Sequence, residues 1–355
     1  MRHDGDVNND RIQREKTVSK VTTIGLDLAK HVFVCFDARG KVVRNKVLRR
    51  GQVREFFVHL EPSLIGLEAC ASAHYWAREL GALGHTVKLI APQYVKAYVR
   101  GNKNDYNDAL AIAEAVVRPE MRFVGIKTPQ QQDIQALHRL RERCLQARTG
   151  LCNQVRGLLA EYGLVLPKGV NTLRQRLPAV LEDGENGLSD FFRRLLAESY
   201  HQLQELDAHI EAYTAELVHH SRKSEACQRL QAIPGFGPIV ASVFHSQVGR
   251  GEAYRRGRDV SAALGLVPRQ HSSGGKDTLL GISKRGDRYL RSLLVHGARA
   301  VVRQAARKED RFSQWINKVK AQRGQNKAVV ALANKMARIG WAVLAHNTVY
   351  QTASR

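Results

Sequence analysis

The feature that most constrains this chain is an apolar run, Thr23-Ile24-Gly25-Leu26-Asp27-Leu28-Ala29-Lys30-His31-Val32-Phe33-Val34-Cys35-Phe36, with one carboxylate, Asp27, in its middle. A run of this composition belongs in a sheet that is covered on its faces. A charge inside it is costly unless something pairs with it. Three acids downstream, Glu68, Asp105 and Asp108, are placed to share its surroundings.

From Val21 to Phe123 the pattern alternates strand and helix. Strands are expected over Val21–Leu28, His31–Asp37 and Val42–Leu48, with a turn at Ala38-Arg39-Gly40-Lys41. A short amphipathic helix follows over Gln52–Leu60, then a strand over Ser63–Glu68 that ends on a carboxylate. Ala73–Leu83 reads as a helix stopped at Gly84, Thr86–Ala91 as a strand closed by Pro92, and Asp105–Val117 as a helix stopped before Pro119. Three antiparallel strands followed by strand–helix–strand–helix fit a mixed α/β, ribonuclease-H-like (RuvC-like) sheet with helices on both faces. Fold alone does not give function.

From Thr128 the strands disappear. Ile134, Leu137, Arg141, Cys144, Arg148, Leu151, Val155, Leu158 and Tyr162 step by three and four, and so do Phe192, Leu196, Ser199, Leu203, Leu206, Ile210, Tyr213 and Leu217. The pattern predicts two long helices with a heptad-like stripe, either an antiparallel pair or a dimeric coiled coil. Gly163–Gly187 is the connection between them. Leu230–Ala241 resembles a helix-hairpin-helix, with Gly235-Phe236-Gly237 as its turn. Such glycines either let a backbone approach a phosphate or simply make a tight turn. Arg250, Arg255, Arg256 and Arg258 follow, then helices over Tyr289–Arg303 and Asn326–His346. The implied organisation is a tail over 1–20, a RuvC-like domain over 21–127, a helical coiled-coil region over 128–225 and a mainly helical C-terminal domain over 226–355.

Composition narrows the partners. Fifty-six Lys and Arg against 33 Asp and Glu leave a net charge of +23 over 355 residues, which points to DNA or RNA before a membrane. No apolar run reaches the roughly 18–20 residues of a membrane span. The first 20 residues are polar and read as a flexible tail, not a signal peptide. Five scattered cysteines with no Cys-x-x-Cys pair favour a reducing cytoplasm and argue against zinc.

Two constellations carry chemistry. Carboxylate oxygens suit hard divalent cations such as Mg2+ or Mn2+, and Asp105 and Asp108 share a helix face at i and i+3, although either could instead be a helix N-cap. A bound pair of metals can activate a nucleophile and stabilise a leaving oxygen in phosphoryl transfer. The second is Ser273 in a Ser-Ser-Gly-Gly loop flanked by Arg269, His271, Lys276, Lys284 and Arg285. Gly-x-Ser-x-Gly is absent. The hydroxyl is either a turn residue or a nucleophile whose neighbouring cations hold developing charge. His271 is either a base or a phosphate contact.

Taken in order, Gly25-Leu26-Asp27-Leu28-Ala29-Lys30, Gly66-Leu67-Glu68-Ala69, Lys103-Asn104-Asp105-Tyr106-Asn107-Asp108-Ala109, Ile233-Pro234-Gly235-Phe236-Gly237-Pro238, Leu264-Gly265-Leu266-Val267-Pro268-Arg269, Ser272-Ser273-Gly274 and Ile282-Ser283-Lys284-Arg285-Gly286 resemble the DEDD transposases of bacterial insertion sequences (IS110 family, IS1111 subgroup). The resemblance covers nearly everything after Val21. It implies that Asp27, Glu68, Asp105 and Asp108 ligate Mg2+ or Mn2+ and that Ser273 is a nucleophile that becomes covalently linked to DNA. It also implies donor and target DNA as substrates, a structured guide (bridge) RNA that supplies sequence recognition by base pairing, and a homo-oligomer, dimer to tetramer, built through the helical middle. Gly235, Gly237, Arg269, Lys276, Lys284 and Arg285 are the expected nucleic-acid contacts. The rival readings are a RuvC-type metal-dependent endonuclease or junction resolvase, in which Ser273 is only structural, and a non-catalytic nucleic-acid-binding protein, which would gain nothing from an acidic cluster. An actin-like sugar kinase is disfavoured by the charge and by the lack of Gly-rich phosphate loops.

Overall fold

The computed structural model describes residues 21–28, 32–37, 40–102 and 104–351. The tail over 1–20, the Ala38-Arg39 part of the first turn and Lys103 of the third motif lie outside them. The chain divides into two compact units, one ending at Ile126 and one running from Lys127.

The first unit holds a six-stranded sheet in the order β3-β2-β1-β4-β5-β6. β1 (Val21–Asp27), β2 (Val32–Asp37) and β3 (Val42–Val47) form an antiparallel meander. α1 (Arg50–Val58) leads to β4 (Leu64–Glu68), which lies parallel to β1. α2 (Ala73–Ala82) then crosses over to β5 (Thr86–Ile90), parallel to β4. The short α3 (Pro92–Val95) and a one-turn 3-10 helix precede α4 (Asp105–Val116), and β6 (Phe123–Val124) closes the sheet as a two-residue antiparallel edge. α1 and α2 cover one face through Val53, Phe57, Trp76 and Leu80, and α4 covers the other through Ala109, Ile112, Ala113 and Val116. Both faces of β1 and β4 are therefore buried, as the apolar run required.

The second unit opens on α5 (Pro129–Ala160), which Thr128 caps by accepting the Gln131 N–H. α6 (Val170–Glu182) and α7 (Asp190–Lys223) complete a three-helix layer. Arg141 donates to Thr214 at 2.7 Å, and Arg148 pairs with Asp207 at 2.8 Å. The partner numbers run in opposite directions, so α5 and α7 are antiparallel. Arg174 of α6 takes the other Asp207 oxygen. The connection Gly163–Gly187 contains a further helix, α6, whose Leu173 and Leu177 are buried at i and i+4. That third helix also shifts the seam on α5. Cys152, Val155 and Leu159 are buried, while Leu158 and Tyr162 of the expected stripe are 41% and 43% exposed.

The rest of this unit is built around α13 (Gln325–Ala345). α8 (Glu225–Gln231), α9 (Pro238–Val248), α10 (Gly257–Ala263), α11 (Arg288–Gln304) and α12 (Arg311–Arg323) surround it, with Leu332, Ala333, Met336 and Ala337 wholly buried. α13 is long and apolar enough to span a membrane by composition, but half of it is buried among these helices, which is the position of a core helix. The antiparallel strands β7 (Pro268–Ser273) and β8 (Lys276–Ile282) stand apart as a two-stranded hairpin. α5 also packs on α9 and α11. Its buried His138 lies 3.0 Å from the Ser242 hydroxyl and 3.1 Å from the Tyr289 hydroxyl.

Candidate functional site

In the first unit, the sheet register brings two acids to one end. Leu26 of β1 pairs with Leu67 of β4, and the next residue on each parallel strand is Asp27 and Glu68. Both are half-buried. Their common neighbour is Cys70: partial burial, then the carboxylates of Glu68 and Asp27, push its thiol above the ordinary range. Because both carboxylates act on this one thiol, Asp27 and Glu68 lie within electrostatic reach of a common point. The chain leaves Glu68 through a tight turn in which the Cys70 N–H donates to the Glu68 carbonyl at 2.8 Å, and Ser72 takes a left-handed φ of +66° to start α2. Such strain in a non-glycine residue is held only by over-determined surroundings.

The other two acids ride on α4. Asn104, not either aspartate, caps that helix by accepting the Asn107 N–H at 2.7 Å, and the Asn107 side chain donates to the Asn102 carbonyl at 2.8 Å. Asp105 and Asp108 thus occupy the first turn without capping duty. The helix is seated by two register-paired glycines, Gly25 and Gly66. A Cβ on Gly25 would lie 2.1 Å from the Ala109 carbonyl oxygen, and one on Gly66 would lie 2.9 Å from the Val116 Cβ. Asp108 immediately precedes Ala109, and Gly25 is two residues, about 6.6 Å of strand, before Asp27. Among the described residues no three His, Cys, Asp or Glu side chains converge tightly enough to hold a metal ion. The donor chemistry nevertheless fits a hard divalent cation, because Asp27 and Glu68 concentrate negative charge at adjacent strand ends.

In the second unit, Ser273 was expected in a loop and instead ends a strand. Gly274 and Gly275, with φ of +58° and +76°, form a two-residue turn closed by the Ser273–Lys276 pair, the backbone that glycine pairs favour in hairpins. Alternation separates the two serines. Ser272 donates to Asp277 Oδ1 at 2.5 Å and accepts from Gln270 Nε2 at 2.8 Å. The Ser272 bond, and then a Gln270 Nε2 bond to the same Asp277 oxygen at 3.1 Å, hold the Asp277 carboxyl below its usual range. Ser273 is on the opposite face with its cross-strand partner Lys276 and with His271, opposite Thr278. These residues and Ser272 line one surface depression, so the hydrogen bonding of Ser272, not the depression, distinguishes the two serines. Arg269, Lys276, Lys284 and Arg285 are all exposed.

The base of the hairpin is rigidly built. A Cβ on Gly286 would fall 1.8 Å from the Ala263 carbonyl oxygen, and the Lys284 N–H donates to the Gly265 carbonyl at 3.1 Å. Lys284 adopts a left-handed φ of +56° there. Arg291 of α11 donates to both the Leu264 carbonyl, at 2.9 Å, and the Arg285 carbonyl, at 2.8 Å, tying together the two chain segments that enter and leave the hairpin. Nothing in its sequence context distinguishes Arg291 from the other arginines of an amphipathic helix. The Gly-x-Gly turn between α8 and α9 divides its roles. Gly235 (φ +92°) packs against α11 and α13, where a Cβ would meet Met336 Cε at 2.7 Å and the Gly297 carbonyl at 3.1 Å, whereas Gly237, the N-cap of α9, is exposed.

Two family models match the chain: a DEDD transposase model of the IS110 type over residues 24–164, and the transposase model described as the IS116/IS110/IS902 family over 227–314. A probable family 20 transposase of Pseudomonas aeruginosa is 49% identical over 93% of this chain and 99% of its own length. The transposase for insertion sequence element IS1111A of Coxiella burnetii is 44% identical over 96% of this chain and 94% of its own. A more distant relative, the pilin gene-inverting protein of Moraxella bovis, is 24% identical over 92% and 96%.

Proposed function

This chain belongs to the IS116/IS110/IS902 family of transposases, and we propose that it moves its insertion sequence by cutting and rejoining DNA through a covalent serine–DNA link. The observation that carries this reading is the separation of the two serines. Ser272 spends its hydroxyl on Asp277, while Ser273 shares a face with Lys276 and His271. Ser273 Oγ attacks a DNA phosphorus and loses its proton, and the bond from phosphorus to the leaving strand oxygen breaks as that oxygen gains a proton. A serine phosphodiester forms. Attack by a hydroxyl of the other strand reverses the step, so the phosphoester bond is conserved. Lys276 and Arg269 offset charge on the non-bridging oxygens. A relative named for inverting a pilin gene supports a chemistry in which every cut strand is rejoined.

Asp27 and Glu68, with Asp105 and Asp108 from α4, would hold Mg2+ or Mn2+, which when bound supplies Lewis-acid stabilisation of a phosphoryl oxygen. Gly237 at the start of α9, together with Lys284 and Arg285, contacts the nucleic-acid backbone. A structured guide RNA selects the donor and target sites by base pairing, and the protein acts as a dimer or tetramer. The test is strand exchange in vitro with donor DNA, target DNA, the element's RNA and Mg2+. Asp27→Asn and Glu68→Gln should each abolish exchange and leave RNA binding intact. Unimpaired exchange by either variant would remove the carboxylates from the chemistry.

A further inference from the structure

β3 is an edge strand of the six-stranded sheet. The segment from Lys41 to Arg54 carries Lys41, Arg44, Lys46, Arg49, Arg50 and Arg54 and contains no acid. β3 itself carries two cations, Arg44 and Lys46, which is enough to stop an edge strand from pairing with another chain. The four that flank it, Lys41, Arg49, Arg50 and Arg54, need a further reason. Arg54 is partly offset by Glu79, 3.8 Å away. Arg44, Lys46, Arg49 and Arg50 are exposed. Two of these are held in place by aromatic rings: the Arg44 guanidinium lies 5.1 Å from the Phe56 ring centre and that of Arg50 lies 5.5 Å from the Trp76 ring. Stacking fixes the plane of a guanidinium while its N–H edges stay available to an anion.

The register tells where this row of charge leads. Asp27 pairs with Val32, and Val32 pairs with Val47. Asp27 and the end of β3 are therefore on one line across the sheet, two strand spacings or about 10 Å apart. Lys46, Arg49 and Arg50 flank that end. Acids gathered at one end of a sheet repel a phosphate chain, so a DNA strand brought to them needs cations alongside. From Arg44 to Val47 the row runs about 10 Å, the axial rise of about three nucleotides of one DNA strand.

We infer that the β3–α1 edge is a phosphate-binding rail that holds duplex DNA beside Asp27 and Glu68. The inference rests on reading those acids as the end of the sheet that acts on DNA. Lys46 and Arg49 are the residues to change, since the aromatic stacks are made by Arg44 and Arg50.

The experiment measures binding of the full-length protein to a labelled duplex carrying the element's end, by fluorescence anisotropy across a salt series. Lys46→Ala/Arg49→Ala should make the slope of log K against log salt shallower by about 1.8, with affinity about tenfold weaker. The charge-preserving pair Lys46→Arg/Arg49→Lys should restore the wild-type slope. The element's RNA, titrated in parallel, should keep its slope in all three proteins. An unchanged duplex slope in the double alanine variant would overturn the inference, as would an equal change for RNA or a failure of the charge-preserving pair to restore the slope. Asp27→Asn, run beside them, should bind the duplex with the wild-type slope and, once target DNA, the element's RNA and Mg2+ are added, should not cut it where the wild-type protein does. A cutting Asp27→Asn protein would remove the reading of the acids, whereas an inactive one combined with an unmoved rail slope would remove the rail alone.

Discussion

His138 offers a direct test of how the long helices are joined to the C-terminal core. Its ring is 1% exposed and is held between the Ser242 and Tyr289 hydroxyls, so α5, α9 and α11 meet at one imidazole. Burial first, and then the positive charges of Arg141 and His220, push its pKa from 6.5 down to about 4. The folded protein therefore keeps this ring neutral at a pH where the unfolded chain protonates it. The contribution is fully present above about pH 6.5, shrinks as the pH falls and is exhausted near pH 4. A shift of about 2.5 units at 1.36 kcal/mol each amounts to roughly 3 kcal/mol. The assay is urea unfolding between pH 7.5 and 4 in a Trp76→Phe background, so that fluorescence comes from Trp315 and Trp341 of the second unit. The protein with His138 should lose roughly 3 kcal/mol more over this range than His138→Gln, which carries no titrating group. Parallel stability profiles for the two proteins would refute the argument.

Three further outcomes follow from the geometry. Gly25→Ala puts a methyl group against the α4 backbone, which cannot yield as a side chain could, so it should destabilise the first unit by about 3 kcal/mol or more in chemical denaturation. Arg291→Ala removes both carbonyl contacts at the base of the hairpin and should raise amide hydrogen exchange in β7 and β8 while leaving α13 protected. Asp207→Asn leaves Arg148 and Arg174 facing each other in a half-buried position and should lower the thermal midpoint of the second unit, with a cost of about 2 kcal/mol.

The first unit was legible because β1 and β4 are covered on both faces and read as apolar runs, while its helices are covered on one face and carry the helical period. Every strand and helix expected between Val21 and Val117 is present with ends shifted by a few residues. The capping question at α4 was not legible, since Asn104, Asp105 and Asp108 all suit an N-cap and only the backbone chooses among them. The β7–β8 hairpin escaped for the opposite reason to the sheet. Both its faces are exposed, so Pro268–Ser273 carries no apolar alternation and Leu279 and Leu280 of the second strand sit in solvent, which left Gly274-Gly275 as the main signal. α6 was hidden by Gly169 before its first residue and by Pro178 inside it, which read as a loop although Leu173 and Leu177 mark a buried face. The role of Gly235 depends on Gly297 and Met336, which are far away in sequence.

The most direct test of the central claim is covalent trapping. The protein is incubated with the element's RNA, Mg2+ and labelled donor and target DNA, then denatured and examined for DNA attached to protein, with Ser273→Ala and Ser272→Ala alongside. The account predicts an adduct in the wild-type protein and in Ser272→Ala, and none in Ser273→Ala. Cut DNA with no adduct, or an adduct that survives in Ser273→Ala, would contradict it.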